Sequence, residues 1–326
     1  MGLGSIYQII ALSSPRAEVF LRKTYWAMMP LLHRVARSGE SGDKTVSSPE
    51  QDNNSADFSK VIDYLKRIGV KRGDIVIVHS SFDSLKATGL DAEGVINALL
   101  ELVGEEGTLA MPAIRHFPEE GEGMDYLKKY IRDEVPDEVL YDLYRTPISS
   151  GLLPFTLSRY DDAVISEFPL NPLVAVGAHA EEMMQGNVDG DLPSAHGSMS
   201  AWKYCADHNA WSIGLGVDEK NYLTIFHVGQ EQPEWPYKED AWYLERNFQI
   251  KKGRNKTPLR IRERRHRWTK YFPEMNFYND LKKNSVLLQQ FVEGIEVLAV
   301  HSDQLFEYIG KQPDGYPYII PKKYHK

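Results

Sequence analysis

Thr224 and His227 form the first of two segments whose residue types could carry chemistry. They follow Gly214-Leu215-Gly216-Val217-Asp218, which is typical of a strand that ends in a glycine turn. If Thr224 caps a helix, His227 lies in its first turn. A neutral imidazole can act as a general base near pH 7, although a lone histidine is more often structural. The residues alone therefore make His227 a candidate base and leave the structural alternative open.

The second segment runs from residue 79 to residue 89, directly after the predicted buried strand 75–78. Small and hydroxylic residues at the carboxyl end of such a strand leave backbone N–H groups open to an anion, and the helix predicted to begin near Asp91 adds a positive partial charge. A pyrophosphate or pantetheine could bind there, but an ordinary strand-to-helix loop explains the residues equally well, since no Walker or GxGxxG pattern is present. The candidate residues are His79, Ser80, Ser81, Ser84, Leu85, Lys86, Ala87, Thr88 and Gly89.

The elements around these segments predict an α/β fold with a mixed central sheet flanked by helices. Helical spacing of apolar residues covers 57–68 and 91–103, and short apolar runs cover 75–78 and 108–112. Strand, helix and strand at this spacing form a βαβ unit. Further strands are predicted at 163–166, 173–176, 211–217 and 295–300.

Three parts of the chain differ in composition. Residues 1–37 form an N-terminal helical appendage, with an amphipathic helix over 16–37 that Pro30 should kink or split. Residues 38–57 are polar and predict a linker, and 58–326 form the main domain. The amphipathic helix could contact a membrane surface or a partner. Packing on its own domain, or on the sister subunit of a homodimer, is favoured by the frequency of helices with one apolar face.

Two stretches of the main domain carry opposite charge. Residues 119–143 are rich in carboxylates and predict a helical insertion or lid. Residues 249–267 are strongly basic and follow His227 closely, so they could face an anionic ligand or form a solvated loop or hairpin.

Composition excludes several classes of protein. The chain has 326 residues, a formal net charge of −8 and one cysteine, Cys205, which rules out an intramolecular disulfide framework and a cysteine-based zinc cluster. The negative charge argues against a general nucleic-acid binder. No apolar stretch reaches the ~18 residues of a spanning helix, and no signal peptide is recognisable, so a cytoplasmic protein is expected. The histidines lack HExxH spacing, so no metal is expected.

The order of these segments resembles the aminoglycoside 3-N-acetyltransferase family. The resemblance runs from about residue 58 to the C-terminus, and its most specific parts are residues 78–112 and Thr224 to His227. It implies acetyl transfer from acetyl-CoA to the amine of a small acceptor, an aminocyclitol or amino sugar. It also implies that His227 is the general base and that residues 79–89, with Thr146 and Ser149, hold the cofactor.

The sequence departs from the family at positions that bear on the acceptor and on the base. Phe168-Pro169-Leu170-Asn171 stands where the family usually has His-Pro-x-His, and Val228-Gly229-Gln230 follows His227 where x-Ala-Glu is common. Glu231 and Glu274 are therefore the candidates to orient His227.

The basic run after His227 favours an anionic acceptor, such as a nucleotide- or lipid-linked amino sugar, because Arg and Lys bind phosphates. The acidic stretch keeps an aminoglycoside antibiotic as an alternative acceptor. A non-catalytic CoA- or sugar-binding protein that retains the fold is a further alternative.

Overall fold

The computed structural model describes residues 3–36, 56–121 and 132–326. Within these ranges the ten strands are β1 Ile75–Ser80, β2 Thr108–Pro112, β3 Val139–Asp142, β4 Val164–Ile165, β5 Leu173–Gly177, β6 Trp211–Leu215, β7 Tyr243–Lys252, β8 Asn255–Arg264, β9 Leu288–Val292 and β10 Ile295–His301. Seven of them form the main sheet in the order β4-β5-β2-β1-β6-β10-β9, and the other three form a second sheet in the order β3-β7-β8.

Helices cover both faces of the main sheet. In chain order the α-helices of the described ranges are α1 Leu3–Ser13, α2 Pro15–Ala36, α3 Phe58–Ile68, α4 Phe82–Leu85, α5 Ala92–Val103, α6 Leu152–Leu157, α7 Ala180–Met184, α8 Ala201–Asp207, α9 Glu239–Trp242, α10 Glu274–Lys283 and α11 Ser302–Gly310. Short 3-10 helices include Lys86–Thr88, Thr224–Gln230 and His266–Tyr271.

The main sheet is mixed, as the sequence predicts. β1 pairs in parallel with β2 and with β6, which confirms the βαβ unit, whereas β5 and β10 run antiparallel to their neighbours. Both faces of β1 are buried: Ile77 packs in one hydrophobic cluster, and Val76 and Val78 pack in the cluster on the other face. A continuous apolar run suits a strand that has no solvated face.

Local caps explain where the helices of the βαβ region begin and end. The Asp57 side chain accepts from the backbone N–H of Ser59, and Gly69 ends α3 with φ 116°. Only a residue without Cβ adopts this left-handed conformation at little cost. Asp91 caps α5 by accepting from the backbone N–H of Gly94.

The second sheet corrects the prediction for the acidic stretch. Val139–Asp142, predicted as part of a helical insertion, is strand β3 and pairs in parallel with β7. Residues 122–131 of that predicted insertion lie outside the described residues. The basic stretch lies mainly on the hairpin of β7 and β8, which turns at Gly253 with φ 64°. Of the two structural alternatives for this stretch, a hairpin is the correct one.

The N-terminal appendage consists of two helices in the described range. α2 continues through Pro30, so the predicted split is wrong: a proline removes one backbone donor, and the helix bridges it. The predicted linker falls mostly on residues 37–55, which lie outside the described residues. Ala56 and Asp57 belong instead to the main domain, because the Ala56 N–H donates to the Ala87 carbonyl at 2.8 Å and Asp57 caps α3.

A buried carboxylate attaches the appendage to the main domain. The Glu18 side chain is 0% exposed and accepts from the backbone N–H groups of Met275 and Asn276 at 2.8 and 3.0 Å. These are the first free donors of α10, and a carboxylate there also complements the helix dipole. Arg22 adds an ion pair with Glu274 at 2.9 Å. One face of α2 thus packs on its own domain, while Phe20 on the other face is exposed.

No helix in the described parts of the chain is long and apolar enough to cross a membrane. Membrane contact, partner contact and homodimer formation through residues 16–37 stay predictions.

Candidate functional site

The larger of the two cavities at the site has a volume of about 960 Å³ and lies at the carboxyl ends of β1 and β2. Parallel strands of an α/β sheet present their ligand-binding loops at this edge. Five of the predicted cofactor residues line it: His79, Ser80, Ser81 and Lys86, and Ser149 from the loop before α6.

The other predicted cofactor residues do not line this cavity; most of them make contacts within the fold instead. Leu85 is fully buried in the core. Three more make hydrogen bonds to the backbone. Ser84 donates to the Gly216 carbonyl, Thr88 donates to the Leu85 carbonyl, and the Thr146 hydroxyl accepts from the backbone N–H of Asp142. Ala87 and Gly89 shape the turn, with Gly89 at φ 71°. Of residues 79–89 named as cofactor residues, His79, Ser80, Ser81 and Lys86 line the cavity, and the cofactor role of the whole set stays a prediction.

His79 supplies a buried polar atom at the wall of this cavity. Burial lowers the pKa of His79 to about 4, so the ring is neutral at pH 7. Its Nε2 is buried and has no hydrogen-bond partner among the described residues. Such an atom costs free energy unless a ligand or water satisfies it. The cavity therefore fits a large polar cofactor such as acetyl-CoA, with Ser80, Ser81 and Lys86 beside His79 as further polar contacts.

A second cavity of about 270 Å³ lies between the main sheet and the β7–β8 hairpin. Its wall contains both signs of charge: Glu120, Glu134, Glu231 and Glu263, with Arg115, Arg246, Arg262 and Arg264. Pro169, Leu170 and Asn171, which replace the family's His-Pro-x-His, also line it. The departure seen in the sequence thus falls on the wall of the smaller cavity.

His227 lines both cavities, together with Ile114, Asn171 and Arg264. The 3-10 helix Thr224–Gln230 holds it and begins after Leu223, whose φ is 73°. The prediction that Thr224 caps an α-helix is wrong: Thr224 is the first residue of a 3-10 helix, and no side chain caps it. The imidazole therefore lies where a ligand in one cavity would meet a ligand in the other.

Gln230 orients the His227 ring. The His227 Nδ1 lies 3.0 Å from the Gln230 Oε1, and the Oε1 also accepts from Arg264 Nη1 at 3.1 Å. Because Oε1 can only accept, this contact is a hydrogen bond in the tautomer that carries the ring proton on Nδ1, whereas the Arg264 Nη1, 3.3 Å from the same Nδ1, would donate to the opposite tautomer. The first of these tautomers leaves the Nε2 lone pair free to act as a base.

Neither Glu231 nor Glu274 has a hydrogen bond or ion pair with His227 in the described structure, and their role in orienting the ring stays a prediction. Glu231 lies 3.4 Å from His196, and both side chains are 5% exposed. Glu274 lines the larger cavity but pairs with Arg22. Gln230 carries the contact because it lies three residues after His227 in the same 3-10 helix, where the spacing brings the two side chains together.

The surroundings of His227 oppose a positive charge on the ring. Burial lowers its pKa well below the usual value, and the neighbouring Arg264 and His196 lower it further. The Arg264 Nη1 lies 3.3 Å from the His227 Nδ1, and the His196 ring centroid lies 5.2 Å from that of His227. His227 is therefore neutral at pH 7 and weakly basic.

Carboxylates form ion pairs with most basic residues of the stretch 249–267 and with Arg246, which lies just before it. Arg246 pairs with Glu120 and Glu263 at 2.7 Å each, and Arg262 lies 3.8 Å from Glu239. Lys251, Lys252, Arg260, Arg265 and Arg267 also pair with carboxylates. Three basic residues of the stretch, Arg254, Lys256 and Arg264, have no carboxylate of the described residues within ion-pair distance, and of these three only Arg264 lines the cavities. The sequence analysis covered Arg264 only as part of the basic stretch 249–267, because ion pairing is invisible without the fold.

Cys205 is fully buried, and burial raises the pKa of its thiol, so it does not act as a nucleophile at this site. In the parts of the chain that the structure describes, no group of three or more His, Cys, Asp or Glu side chains could hold a metal ion.

The fold and these cavities agree with a comparison against known families. The model of the aminoglycoside 3-N-acetyltransferase family matches residues 77–312. The chain therefore belongs to the aminoglycoside 3-N-acetyltransferase family.

Two curated relatives are similar over part of their length. The aminoglycoside N(3)-acetyltransferase IX of Micromonospora chalcea is 30% identical over 131 residues, which are 39% of this chain and 46% of that protein. The SPbeta prophage-derived aminoglycoside N(3')-acetyltransferase-like protein YokD of Bacillus subtilis (strain 168) is 29% identical over 178 residues, 51% of this chain and 61% of that protein. The matches thus span about half to three fifths of these relatives.

Solved structures confirm the predicted fold class. Aminoglycoside acetyltransferase AAC(3)-Xa superposes with a TM-score of 0.61 at 19% identity, covering 77% of this chain and 90% of that one. A structure described as AAC-IIIb binary with CoASH superposes with a TM-score of 0.57 at 19% identity, covering 81% and 99%. At this identity the likeness concerns the fold alone.

Proposed function

We propose that the protein is an acetyl-CoA-dependent N-acetyltransferase that acetylates an amine of an amino sugar or aminocyclitol. The observation that carries the proposal is the position of His227 in the shared wall of the two cavities. Acetyl-CoA would supply an acetyl thioester, whose C–S bond breaks as the acceptor nitrogen takes the acetyl group and the thiol leaves. Family membership and the complex of AAC-IIIb with CoASH support this assignment of the donor.

The larger cavity is proposed to hold the cofactor. Its volume and its edge position suit a large ligand, and its polar wall includes His79, Ser80, Ser81, Lys86 and Ser149. Lys86 is the one lysine among the predicted loop residues, and its ammonium is suited to a phosphate. It pairs with Asp83 at 2.6 Å on the exposed surface, a contact that a phosphate could replace at little cost.

The smaller cavity is proposed to hold the acceptor, with His227 as the base. With Gln230 holding the Nδ1 proton, the Nε2 lone pair can take the proton that the acceptor nitrogen loses. A ring that is neutral at pH 7 starts each turnover in the reactive state. His196 and Glu231, paired beside His227, complete the buried polar wall of the acceptor side.

The acceptor proposed from the sequence, a nucleotide- or lipid-linked amino sugar, rests on fewer charges than the basic run implied. Most of those cations have carboxylate partners, and Arg264 is the exception next to His227. The alternative acceptor, an aminoglycoside antibiotic, would need free carboxylates. Glu120 and Glu263 of the cavity wall are paired with Arg246, whereas Glu231 of the same wall has only His196 beside it and a buried Oε2 without a partner among the described residues. The anionic acceptor is therefore proposed on Arg264 alone, and Glu231 keeps the antibiotic as the alternative.

His227→Ala tests the enzyme against a non-catalytic binding protein. We expect acetyl-CoA to raise the thermal midpoint of both wild type and variant, and an amine acceptor to release thiol only with the wild type. Loss of a general base costs about 10²- to 10⁴-fold in rate. Thermal shift and a thiol-sensitive dye measure the two effects.

His208→Ala is the matched control, because His208 is exposed and stacks on Tyr204 outside both cavities. It should keep both responses. Thiol release that survives His227→Ala would contradict the assignment of the base, and a wild type that binds acetyl-CoA but releases no thiol with any amine would favour the binding protein.

A further inference from the structure

Two arginines in the wall of the acceptor cavity, Arg115 and Arg264, lack a carboxylate partner among the described residues. Arg115 is bound to the backbone of its own domain: its Nη1 and Nη2 donate to the carbonyls of Thr146 and Leu143 at 2.8 and 3.3 Å. Arg264 has no such backbone contacts. It lies at the junction of the two cavities as a cation with no carboxylate of the described chain within ion-pair distance.

The hydrogen bonds of Arg264 leave one edge of its guanidinium open. Its contacts with Gln230 Oε1, His227 Nδ1 and the Tyr318 hydroxyl all involve Nη1, and no hydrogen bond joins its Nε or Nη2 to the described residues. This edge matches the two oxygens of a phosphate or carboxylate.

A second donor belongs to Gln230, whose Oε1 accepts from Arg264 Nη1. The Nε2 of Gln230 is buried in the wall of the acceptor cavity and has no partner among the described residues. Gln230 as a whole is 1% exposed. A buried donor without a partner is costly, and an anion at Arg264 would give it an acceptor.

We propose that Arg264 binds an anionic group of the acceptor, a phosphate or carboxylate carried near the amine, and that this ion pair completes the site around His227. The inference rests on the proposed function and names its substrate class, an acidic or phosphorylated amino sugar. The guanidinium fixes the acceptor in the smaller cavity, and the anion offsets the positive charge next to the imidazole.

The charge balance around His227 gives the proposal a second consequence. Arg264 from β8, His196 from the loop before α8 and Gln230 from its own helix lie next to the ring. The Tyr318 hydroxyl contacts Gln230 and Arg264, and Glu231 pairs with His196. Without an anion, Arg264 opposes protonation of His227. With one, the ring can accept the proton of the acceptor amine more readily. An acceptor that lacks the anion loses both the anchor and this assistance.

Glucosamine 6-phosphate and glucosamine test the proposal, because they share the ring and the amine and differ by one phosphate. With acetyl-CoA we expect the wild type to show a kcat/KM for the phosphorylated amine higher by on the order of 10- to 100-fold, the range of a hydrogen bond to a charged group. Arg264→Gln should bring this ratio close to one. Arg264→Lys keeps the positive charge but lacks the planar guanidinium, so it should retain part of the preference for glucosamine 6-phosphate.

Arg260→Gln is the matched control: the same strand loses the same charge at an exposed residue that pairs with Glu245 outside both cavities. It should keep the full preference. A binding measurement needs no turnover: without acetyl-CoA, glucosamine 6-phosphate should raise the thermal midpoint of wild type and Arg260→Gln more than glucosamine does, and this difference should vanish in Arg264→Gln.

Equal kcat/KM for the two amines in the wild type, or a preference that survives in Arg264→Gln, would overturn the role of Arg264 and leave acetyl transfer intact. Absence of thiol release with every amine would overturn the proposed function instead, and the binding measurement would still decide whether Arg264 holds the anion.

Discussion

At the scale of single residues, a carboxylate beside a histidine base could both orient the ring and stabilise its protonated form. In this site the two tasks are separate. Gln230 fixes the tautomer and the orientation of His227 through Nδ1, but as a neutral amide it gives no charge to stabilise an imidazolium. Arg264 adds a charge of the opposite sign to the one that would help. The contact with Gln230 fixes the position of the ring, while the basicity of the ring depends on what enters the cavity.

Gln230→Glu should reverse this balance. A carboxylate 3.0 Å from Nδ1 favours the protonated ring and also pairs with Arg264, so the pKa of His227 should rise towards its usual value. Because only the neutral ring can act as a base, the acid limb of kcat/KM should move to higher pH. Measuring kcat/KM of wild type and variant between pH 5 and 9 would show the position of this acid limb.

Gln232→Glu is the control for that experiment, since Gln232 donates to the Val228 carbonyl in the same segment without touching His227. It should leave the limb in place. An unmoved limb in Gln230→Glu would show that the contact with Gln230 does not control the protonation of His227.

At the scale of elements, local signals in the sequence predicted the region that holds the cofactor cavity. The βαβ unit follows from caps at Asp57 and Asp91 and from the apolar run of β1, all of which act within a few residues. The hairpin of β7 and β8 could not be placed in the same way. Its strands alternate charged residues whose partners, such as Glu120 for Arg246, lie more than a hundred residues away.

Separation along the chain also explains which site residues the sequence could identify. His227, His79 and Ser149 were identified from motifs, whereas Arg264 meets His227 across 37 residues and only the fold shows that it is unpaired. The contact of α2 with α10 also joins residues more than 250 positions apart.

Glu18→Ala should loosen the attachment of the appendage. The substitution leaves the N–H groups of Met275 and Asn276 without their acceptor and removes a neighbour of Arg22. Hydrogen bonds to a buried charge are worth about 1.5–3 kcal/mol each, so we expect a loss of roughly 2–4 kcal/mol in the free energy of unfolding. The urea midpoint reports the change.

Glu18→Gln, which keeps one acceptor oxygen, should fall between wild type and alanine. Arg16→Ala removes an exposed charge of the same helix and should leave the midpoint unchanged. An unaltered midpoint in Glu18→Ala would mean that the appendage contributes nothing to the stability of the main domain.

At the scale of the whole molecule, burial of histidines at the cavities ties stability to pH. His79 has a pKa of about 4 in the folded protein and about 6.5 when unfolded. Below pH 6.5 the unfolded chain therefore binds a proton that the folded chain refuses, and the free energy of unfolding falls until about pH 4. A shift of this size corresponds to about 3 kcal/mol, and His227 acts in the same direction.

His79→Asn should reduce this dependence, because asparagine does not titrate. We expect the difference between urea midpoints at pH 7.5 and pH 4.5 to be smaller in the variant than in the wild type. The same difference in both proteins would show that His79 is not held neutral by burial.

The two cavities draw their walls from separate parts of the architecture, and this separation bears on how the protein could diversify. The β7–β8 hairpin belongs to the small sheet and contributes Arg246, Arg262 and Glu263 to one cavity only. Under the proposed function, exchanging this hairpin while keeping Arg264 would alter the wall of the smaller cavity and leave the rest of the larger cavity unchanged. Such a chimera would be expected to change acceptor specificity with His227 still in place.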